Sequence, residues 1–106
     1  GVRILGRKRV ERMAQNHFPP NIPSIAANGP AATGYGLGVS VTLDTAALGR
    51  PGSAGSFGWG GAATTTFSVN PAEDMAIVIM GQVMPNDGDL LQKVETLVYQ
   101  ALVDTP

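Results

Sequence analysis

The sequence predicts an α+β fold in which an antiparallel sheet of about three strands carries an N-terminal and a C-terminal helix. Apolar residues alternate along 35–43 and 57–69 and run without interruption over 75–80, whereas helical periodicity occurs only near the two ends of the chain. Short connections join these strands, and short connections are typical of antiparallel neighbours. The 106 residues are enough for one domain, spanning 1–106.

The two helices are predicted from apolar spacing and from residues that begin or end helices. Val10, Met13 and Ala14 keep helical spacing and predict a helix over roughly 7–16 with a basic outer face. A loop without periodicity follows over 16–34, where prolines are frequent. Asp87 and Asp89 offer N-cap groups for the C-terminal helix. Its apolar positions are Leu90, Leu91, Val94, Leu97, Val98, Ala101 and Leu102.

Three extended segments follow one another in the middle of the chain. Residues 35–43 alternate as a strand with one buried face, and a glycine-rich connection covers 44–56. The run 57–69 includes three threonines that favour extended backbone. After a turn at 70–74, the apolar run 75–80 is expected of a strand covered on both faces, paired as a hairpin with the strand before it. A three-stranded sheet leaves two edges, so the chain looks like part of a larger sheet.

Composition excludes several classes of function. Seven Lys and Arg against eight Asp and Glu give a net charge of −1, which predicts no nucleic-acid partner and no anionic membrane surface. No run of apolar residues is long enough to span a membrane. There is no cysteine, and His17 is the only histidine, so we expect no metal site and expect His17 to cap or follow the first helix. The compartment stays open.

No cofactor site is predicted. Residues 58–63 fit a dinucleotide fingerprint only loosely, because a strand follows them where a helix N-terminus is needed. Helix capping explains Asp87 and Asp89 better than a calcium loop does. The usual serine nucleophile patterns are also missing: Pro51 breaks a G-x-S-x-G motif at Ser53, and no serine stands three residues before a lysine.

A cluster of glycines around the single tryptophan is the most unusual feature. Gly55, Gly58, Gly60 and Gly61 flank Trp59 inside a predicted strand, where glycine weakens the strand and often marks a close approach of backbone. Two explanations stay open. One is a bulge or a packing contact with a neighbouring element. The other is a strand edge left free so that a substrate can lie against its N–H and C=O groups.

Four segments, in this order, resemble the serine β-lactamase and penicillin-binding-protein superfamily, in particular the class C-like β-lactamases and the family VIII carboxylesterases. Residues 4–13 look like a family helix and residues 34–38 like its Gly-Tyr-Gly-Leu-Gly strand. Residues 55–62 look like the active-site strand, and residues 65–80 like the hairpin that follows it. The resemblance covers nearly the whole chain and implies a fragment of the β-lactamase/transpeptidase-like fold.

The resemblance implies roles for four residues of the active-site strand. The family's third motif is Lys-Thr-Gly in β-lactamases and often Trp-Gly-Gly in esterase-like members, and Trp59-Gly60-Gly61 matches the second form. The three residues would then contact substrate, and the backbone N–H of Ala62 would be one oxyanion-hole donor. Tryptophan in place of lysine removes a cation that would hold a β-lactam carboxylate, which favours esters. By resemblance, the compartment would be the bacterial cytoplasm or periplasm.

Two family motifs have no counterpart, namely the nucleophilic Ser-x-x-Lys and the second, tyrosine-containing motif. The chain also begins at Gly1 rather than methionine, as a processed, trimmed or excised polypeptide would. The leading hypothesis is therefore a C-terminal segment of a serine hydrolase that is not catalytically complete alone. Its partner would be the missing N-terminal part of the domain, and the intact parent would act on a small acyl ester or a β-lactam.

Two other hypotheses stay open. One is a non-catalytic interaction module that uses an exposed strand and an apolar sheet face to bind a partner or to form a homo-oligomer. The other is a free-standing esterase with an unrecognised nucleophile, such as Ser53 or Ser56.

Overall fold

The computed structural model describes residues 1–19 and 31–103, so the middle of the loop predicted for 16–34 lies outside the described residues. The described part is an α+β fold with one antiparallel sheet in the order β1-β2-β3-β4-β5. Its elements are α1 (Arg7–Met13), β1 (Thr33–Tyr35), β2 (Ser40–Thr42), α2 (Thr45–Leu48), β3 (Phe57–Gly61), β4 (Thr65–Asn70), β5 (Met75–Met80) and α3 (Gly88–Gln100). The predicted fold class is confirmed, but the sheet has five strands rather than about three.

The first additional strand arises because a tight turn divides the segment predicted as one strand over 35–43. The N–H of Gly36 donates to the carbonyl of Val39 at 2.7 Å, and Gly38 has a φ of 90°. Val39 and Val41 are buried as expected, but Leu37 lies in the turn and is 55% exposed. The alternating pattern continues across the turn, which is why the sequence did not reveal it.

The second additional strand arises in the same way within 57–69. Residues 62–64 form a turn between β3 and β4, and Thr64 has a φ of 64°. A β-branched residue in the left-handed region is rare. The preference of threonine for extended backbone therefore gave the wrong prediction at this position, because tertiary hydrogen bonds hold Thr64 in the turn.

Helices pack on both faces of the sheet. Met13 and Ala14, at the end of α1, pack against a buried cluster of Val39, Val41 and Phe57. We call this side the α1 face. On the opposite side, the α3 face, the amide Nδ2 of the buried Asn70 donates to the hydroxyl of Tyr99 in α3 at 2.9 Å, and Ile77 and Leu91 are buried.

The predicted helices are present with altered bounds. Asp87 is the N-cap of α3, where its side chain accepts from the N–H of Leu90 at 3.1 Å, as predicted. Helix α1 ends at Met13 rather than near residue 16. His17 follows it, and its Nε2 hydrogen-bonds to the carbonyl of Arg12 at 2.8 Å, which satisfies a group at the helix C-terminus.

Strand β5 pairs with β4 as predicted, but it is not covered on both faces. Ile77 is buried on the α3 face, whereas on the α1 face Val78 is 65% and Met80 80% exposed. The cause is the position of α1, which packs near β2 and β3 and leaves β5 open. Trp59 of β3, Phe67 of β4 and Val78 of β5 stand opposite one another across these strands and form an open apolar row.

Candidate functional site

The end of β3 has a free edge. The ladder between β2 and β3 contains only the pairs Ser40 with Gly58 and Val41 with Phe57, so beyond Gly58 this side of β3 faces no described strand. The N–H of Thr42 donates to the carbonyl of Ser56 at 2.8 Å, which shows that alternate residues from Ser56 direct their backbone groups towards this side. By this alternation, the N–H and C=O of Gly60 point to the free edge.

Ala62 directly follows this edge, in the turn between β3 and β4. The residue is exposed, and within residues 1–19 and 31–103 its N–H donates no hydrogen bond. The sequence-predicted residues Trp59, Gly60, Gly61 and Ala62 are consecutive, and of these Gly60 and Ala62 have backbone groups that face no described strand.

The two explanations for the glycine cluster apply to different glycines. A Cβ at Gly58 would collide with the carbonyl oxygen of Phe67, and one at Gly61 would collide with the side chain of Thr65. These positions are glycine because of close packing between β3 and β4. Gly60 is less crowded, since its Cβ would lie 3.3 Å from the carbonyl oxygen of Thr65, and it is the glycine whose backbone groups face the free edge.

Trp59 stands at the side of this edge as a partly exposed aromatic wall. It is 46% exposed, and the ring of Tyr35 meets it edge-on with centroids 5.5 Å apart. Phe18 stacks on the other side of Tyr35 at 5.7 Å. Such contacts fix the ring orientations. The sequence did not place Tyr35 or Phe18 at the site, because no local spacing connects them with Trp59.

A buried hydroxyl fixes the turn that carries Ala62. Thr64 is fully buried, and its Oγ1 donates to the carbonyl of Val83 at 2.7 Å and accepts from the N–H of Asp87 at 2.9 Å. Its own carbonyl accepts from the N–H of Gly81 at 2.9 Å. The side-chain amide of Asn86 also donates to the carbonyl of Gly61. Segment 81–87 thus holds the turn from several directions.

A cavity of about 200 Å³ lies on the α3 face, and Trp59 and Gly60 of β3 are among the residues that line it. Its lining is rich in hydroxyl groups, which come from Ser40, Thr42, Ser53, Ser56, Thr66, Ser68 and Tyr99. The Oγ of Ser56 is buried and has no hydrogen-bond partner among the described residues, whereas the Oγ of Ser53 accepts from Asn70 at 3.0 Å. Both serines line this cavity, and Ala62 does not.

The ionisable groups of the cavity include Glu95 and Arg50. Burial raises the pKa of Glu95, and the positive charge of Arg50 opposes this rise only in part. Among the described residues, no lysine or histidine lines the cavity, so neither serine has one of these bases beside it there.

Residues 1–19 and 31–103 contain no group of three or more histidine or acidic side chains placed to hold a metal ion. Over the same ranges, no helix has both the length and the apolar character needed to cross a bilayer.

Comparison with models of known protein families gives no match, and no curated protein sequence matches the chain.

Replacing Thr64 with valine should destabilise the fold by about 2 kcal/mol, because two part-buried hydrogen bonds are lost, one to the carbonyl of Val83 and one from the N–H of Asp87. Valine has the same β-branching and nearly the same shape, so the change tests the hydroxyl alone. Thr64→Ser keeps the hydroxyl and should cost less. Urea unfolding of the three proteins measures the difference, and equal stability of the valine and serine variants would contradict the assigned role.

Glu95→Gln should stabilise the protein at neutral pH by less than about 1 kcal/mol, since the site is only partly buried and solvent screens the charge. The raised pKa means that the folded state binds a proton more tightly than the unfolded state does. The difference in unfolding free energy between the two proteins therefore shrinks as the pH falls through the raised pKa of the folded state. Below the unfolded pKa of about 4.3 the two proteins should be equally stable.

Urea unfolding at several pH values checks this expectation. Glu73→Gln removes the same charge away from the cavity and serves as the control. A gain in stability from Glu95→Gln that does not change with pH would show that burial of the charged carboxylate is not the cause of that gain.

Proposed function

We propose that this chain is the C-terminal part of a serine hydrolase of the esterase and β-lactamase-like type, and that it supplies one oxyanion-hole donor and part of the substrate cleft. The observation that carries the proposal is the position of Ala62. Ala62 is exposed, and its N–H has no hydrogen-bond partner in the described structure. The residue follows the free edge of β3 on a turn held by a buried hydroxyl.

This arrangement suits stabilisation of a developing negative charge. In acyl transfer the carbonyl oxygen of the substrate becomes an oxyanion, and a donor lowers the barrier when it is already fixed at that place. The bonds of Thr64 to Val83 and Asp87 supply such fixation for the turn. One N–H is half of an oxyanion hole, and by resemblance the second donor is the N–H of the nucleophile on the missing N-terminal part.

The free edge and Trp59 provide a means of holding an acyl substrate. An extended substrate can pair with the N–H and C=O of Gly60 in the manner of an added strand. The half-exposed indole of Trp59 forms an apolar wall with one donor and no positive charge. A wall without a cation favours a neutral ester over a β-lactam, whose carboxylate needs a positive partner.

The nucleophile is assigned to the missing N-terminal part. Ser53 and Ser56 line the same cavity as Trp59, but among the described residues no lysine or histidine lines that cavity, so neither serine has such a base beside it. In this proposal the N-terminal part packs on the α1 face next to Trp59 and brings an activated serine towards Ala62. The chain alone would then lack acyl-transfer activity.

Co-production of this chain with the polypeptide encoded immediately upstream tests the proposal. We expect hydrolysis of a p-nitrophenyl ester only when both parts are present, and labelling by a fluorophosphonate probe on a serine of a Ser-x-x-Lys motif in the upstream part. Labelling of Ser53 or Ser56 in this chain alone would instead support a free-standing esterase. An upstream sequence without Ser-x-x-Lys would overturn the proposal.

In the active combination, Ala62→Pro should lower kcat by about 10²–10³, because proline removes the N–H that binds the oxyanion. The matched control is Ala62→Gly, which keeps the N–H and should retain most of the activity. KM for the ester should change much less than kcat, since the donor acts on the charge of the transition state. Equal kcat for the two variants would show that this N–H takes no part in the reaction.

A further inference from the structure

The peptide group between Gly61 and Ala62 is hydrogen-bonded to a side chain at its oxygen and open at its nitrogen. The side-chain amide Nδ2 of Asn86 donates to the carbonyl of Gly61. The N–H of Ala62 is the other end of the same peptide group, and it has no partner within residues 1–19 and 31–103. The group that Asn86 binds and the proposed oxyanion donor therefore belong to one rigid unit.

The planarity of this peptide group fixes the direction of the Ala62 N–H. In a trans peptide the C=O and the N–H point in opposite directions. Gly60 directs its backbone groups to the free edge of β3, so by alternation Gly61, which pairs with Thr65, directs its carbonyl towards β4. The N–H of Ala62 consequently points to the side of the free edge, where the proposed substrate lies.

The backbone on either side of Asn86 is anchored to the turn between β3 and β4. The N–H of Asp87 donates to the hydroxyl of Thr64 at 2.9 Å, and the same hydroxyl donates to the carbonyl of Val83 at 2.7 Å. The N–H of Val83 also donates to the carbonyl of Ala63 at 3.2 Å. Asn86 itself is exposed, so its side chain contributes little to the core, and its amide is held in place beside Gly61.

We propose that Asn86 is a positioning residue, which orients and polarises the peptide group whose N–H binds the oxyanion. A donor at the carbonyl oxygen draws electron density through the conjugated amide, and the N–H at the other end becomes a stronger donor. The same bond resists rotation of the peptide plane, so the N–H is already aimed when the negative charge develops. This inference rests on the proposed function, which gives the N–H of Ala62 its task.

The alternative is that Asn86 contacts the substrate itself. A Cβ at Gly60 would lie 4.0 Å from the Nδ2 of Asn86, so the side chain is close to the edge at which a substrate would pair. However, Asn86 lies at the carbonyl end of the Gly61–Ala62 peptide group, and the oxyanion would lie at the N–H end. This separation favours action through the peptide group.

The size of the effect follows from the strength of the coupling. Cooperative strengthening amounts to about 10–30% of a hydrogen bond, and one oxyanion donor contributes about 10²–10³ in rate. Loss of the Asn86 amide should therefore lower kcat by about two- to eightfold, which is much less than the loss of the N–H itself.

NMR spectroscopy of this chain by itself tests the polarisation. In Asn86→Ala the carbonyl carbon resonance of Gly61 and the amide nitrogen resonance of Ala62 should both move upfield, because the peptide oxygen loses a donor. The order parameter of the Ala62 N–H should fall as the peptide plane becomes freer. Gln82→Ala is the matched control, since it removes an exposed side-chain amide from the same segment and should change none of these signals. Unchanged signals in Asn86→Ala would overturn the inference.

Kinetics of the active combination with the upstream polypeptide test the use of this device. Asn86→Ala should lower kcat for a p-nitrophenyl ester by about two- to eightfold with little change in KM. Asn86→Asp keeps the size of the side chain, but its carboxylate only accepts, so its kcat should be at least as low. Gln82→Ala should keep the wild-type kcat, and circular dichroism establishes that the variants are folded. A raised KM with an unchanged kcat would show direct contact with substrate and would overturn the positioning role.

A double-mutant cycle separates action through the peptide group from any other action of Asn86. Ala62→Pro removes the N–H that Asn86 is proposed to strengthen, so adding Asn86→Ala to it should cause no further loss of kcat. An equal loss from Asn86→Ala in the presence and absence of Ala62→Pro would mean that Asn86 acts on the substrate or on the fold, and would overturn the inference.

The failure of this inference is distinguishable from the failure of the proposed function. If Ala62→Pro and Ala62→Gly have equal kcat, the proposed function fails, and the role of Asn86 that rests on it fails as well. If these two variants differ as expected and Asn86→Ala keeps the wild-type kcat, the proposed function stands and the positioning role is overturned.

Discussion

The hydrogen bonds of the buried Thr64 hydroxyl are the interactions on which the arrangement of the molecule depends. A β-branched residue with a positive φ is unfavourable by itself, and it persists only where the surroundings hold it. Here the hydroxyl donates to Val83 and accepts from Asp87, while the backbone carbonyl accepts from Gly81. One residue thereby joins the β3–β4 turn, the end of β5 and the beginning of α3.

This junction explains why α3 covers one face of the sheet while the free edge of β3 stays accessible. Asp87 donates its N–H to Thr64 and caps α3 with its side chain, so the start of the helix is anchored to the turn that carries Ala62. The C-terminal part of α3 is anchored separately, through the bond between Tyr99 and Asn70. The helix thus covers the α3 face, and the free edge of β3 stays accessible because β2 ends opposite Gly58.

The sequence predicted those parts of the fold that depend on local order. Helix α3, its Asp87 cap and the pairing of β4 with β5 follow from periodicity and turn residues that lie close together. The turns at 36–39 and 62–64 were missed, because the strands on either side continue one alternating pattern. The partners of the Thr64 hydroxyl are 19 and 23 residues away, so no local window contains the reason for its backbone conformation.

For the candidate site, the glycine pattern located Trp59 to Ala62, but the stack of Tyr35 and Phe18 depends on tertiary packing.

The uneven cover of the sheet has a further physical consequence. On the α1 face, burial is nearly complete around Val41 and Phe57 and falls away towards Val78 and Met80 at the outer strand. Exposed apolar area costs about 25 cal/mol per Å², so covering this region would be favourable for any partner that fits. The face and the edge select partners differently: the face offers side chains, which recognise a complementary shape, whereas the edge offers N–H and C=O groups, which recognise a register. Because the two use different atoms, a substitution that changes the apolar side chains of the face leaves the backbone groups of an edge in place.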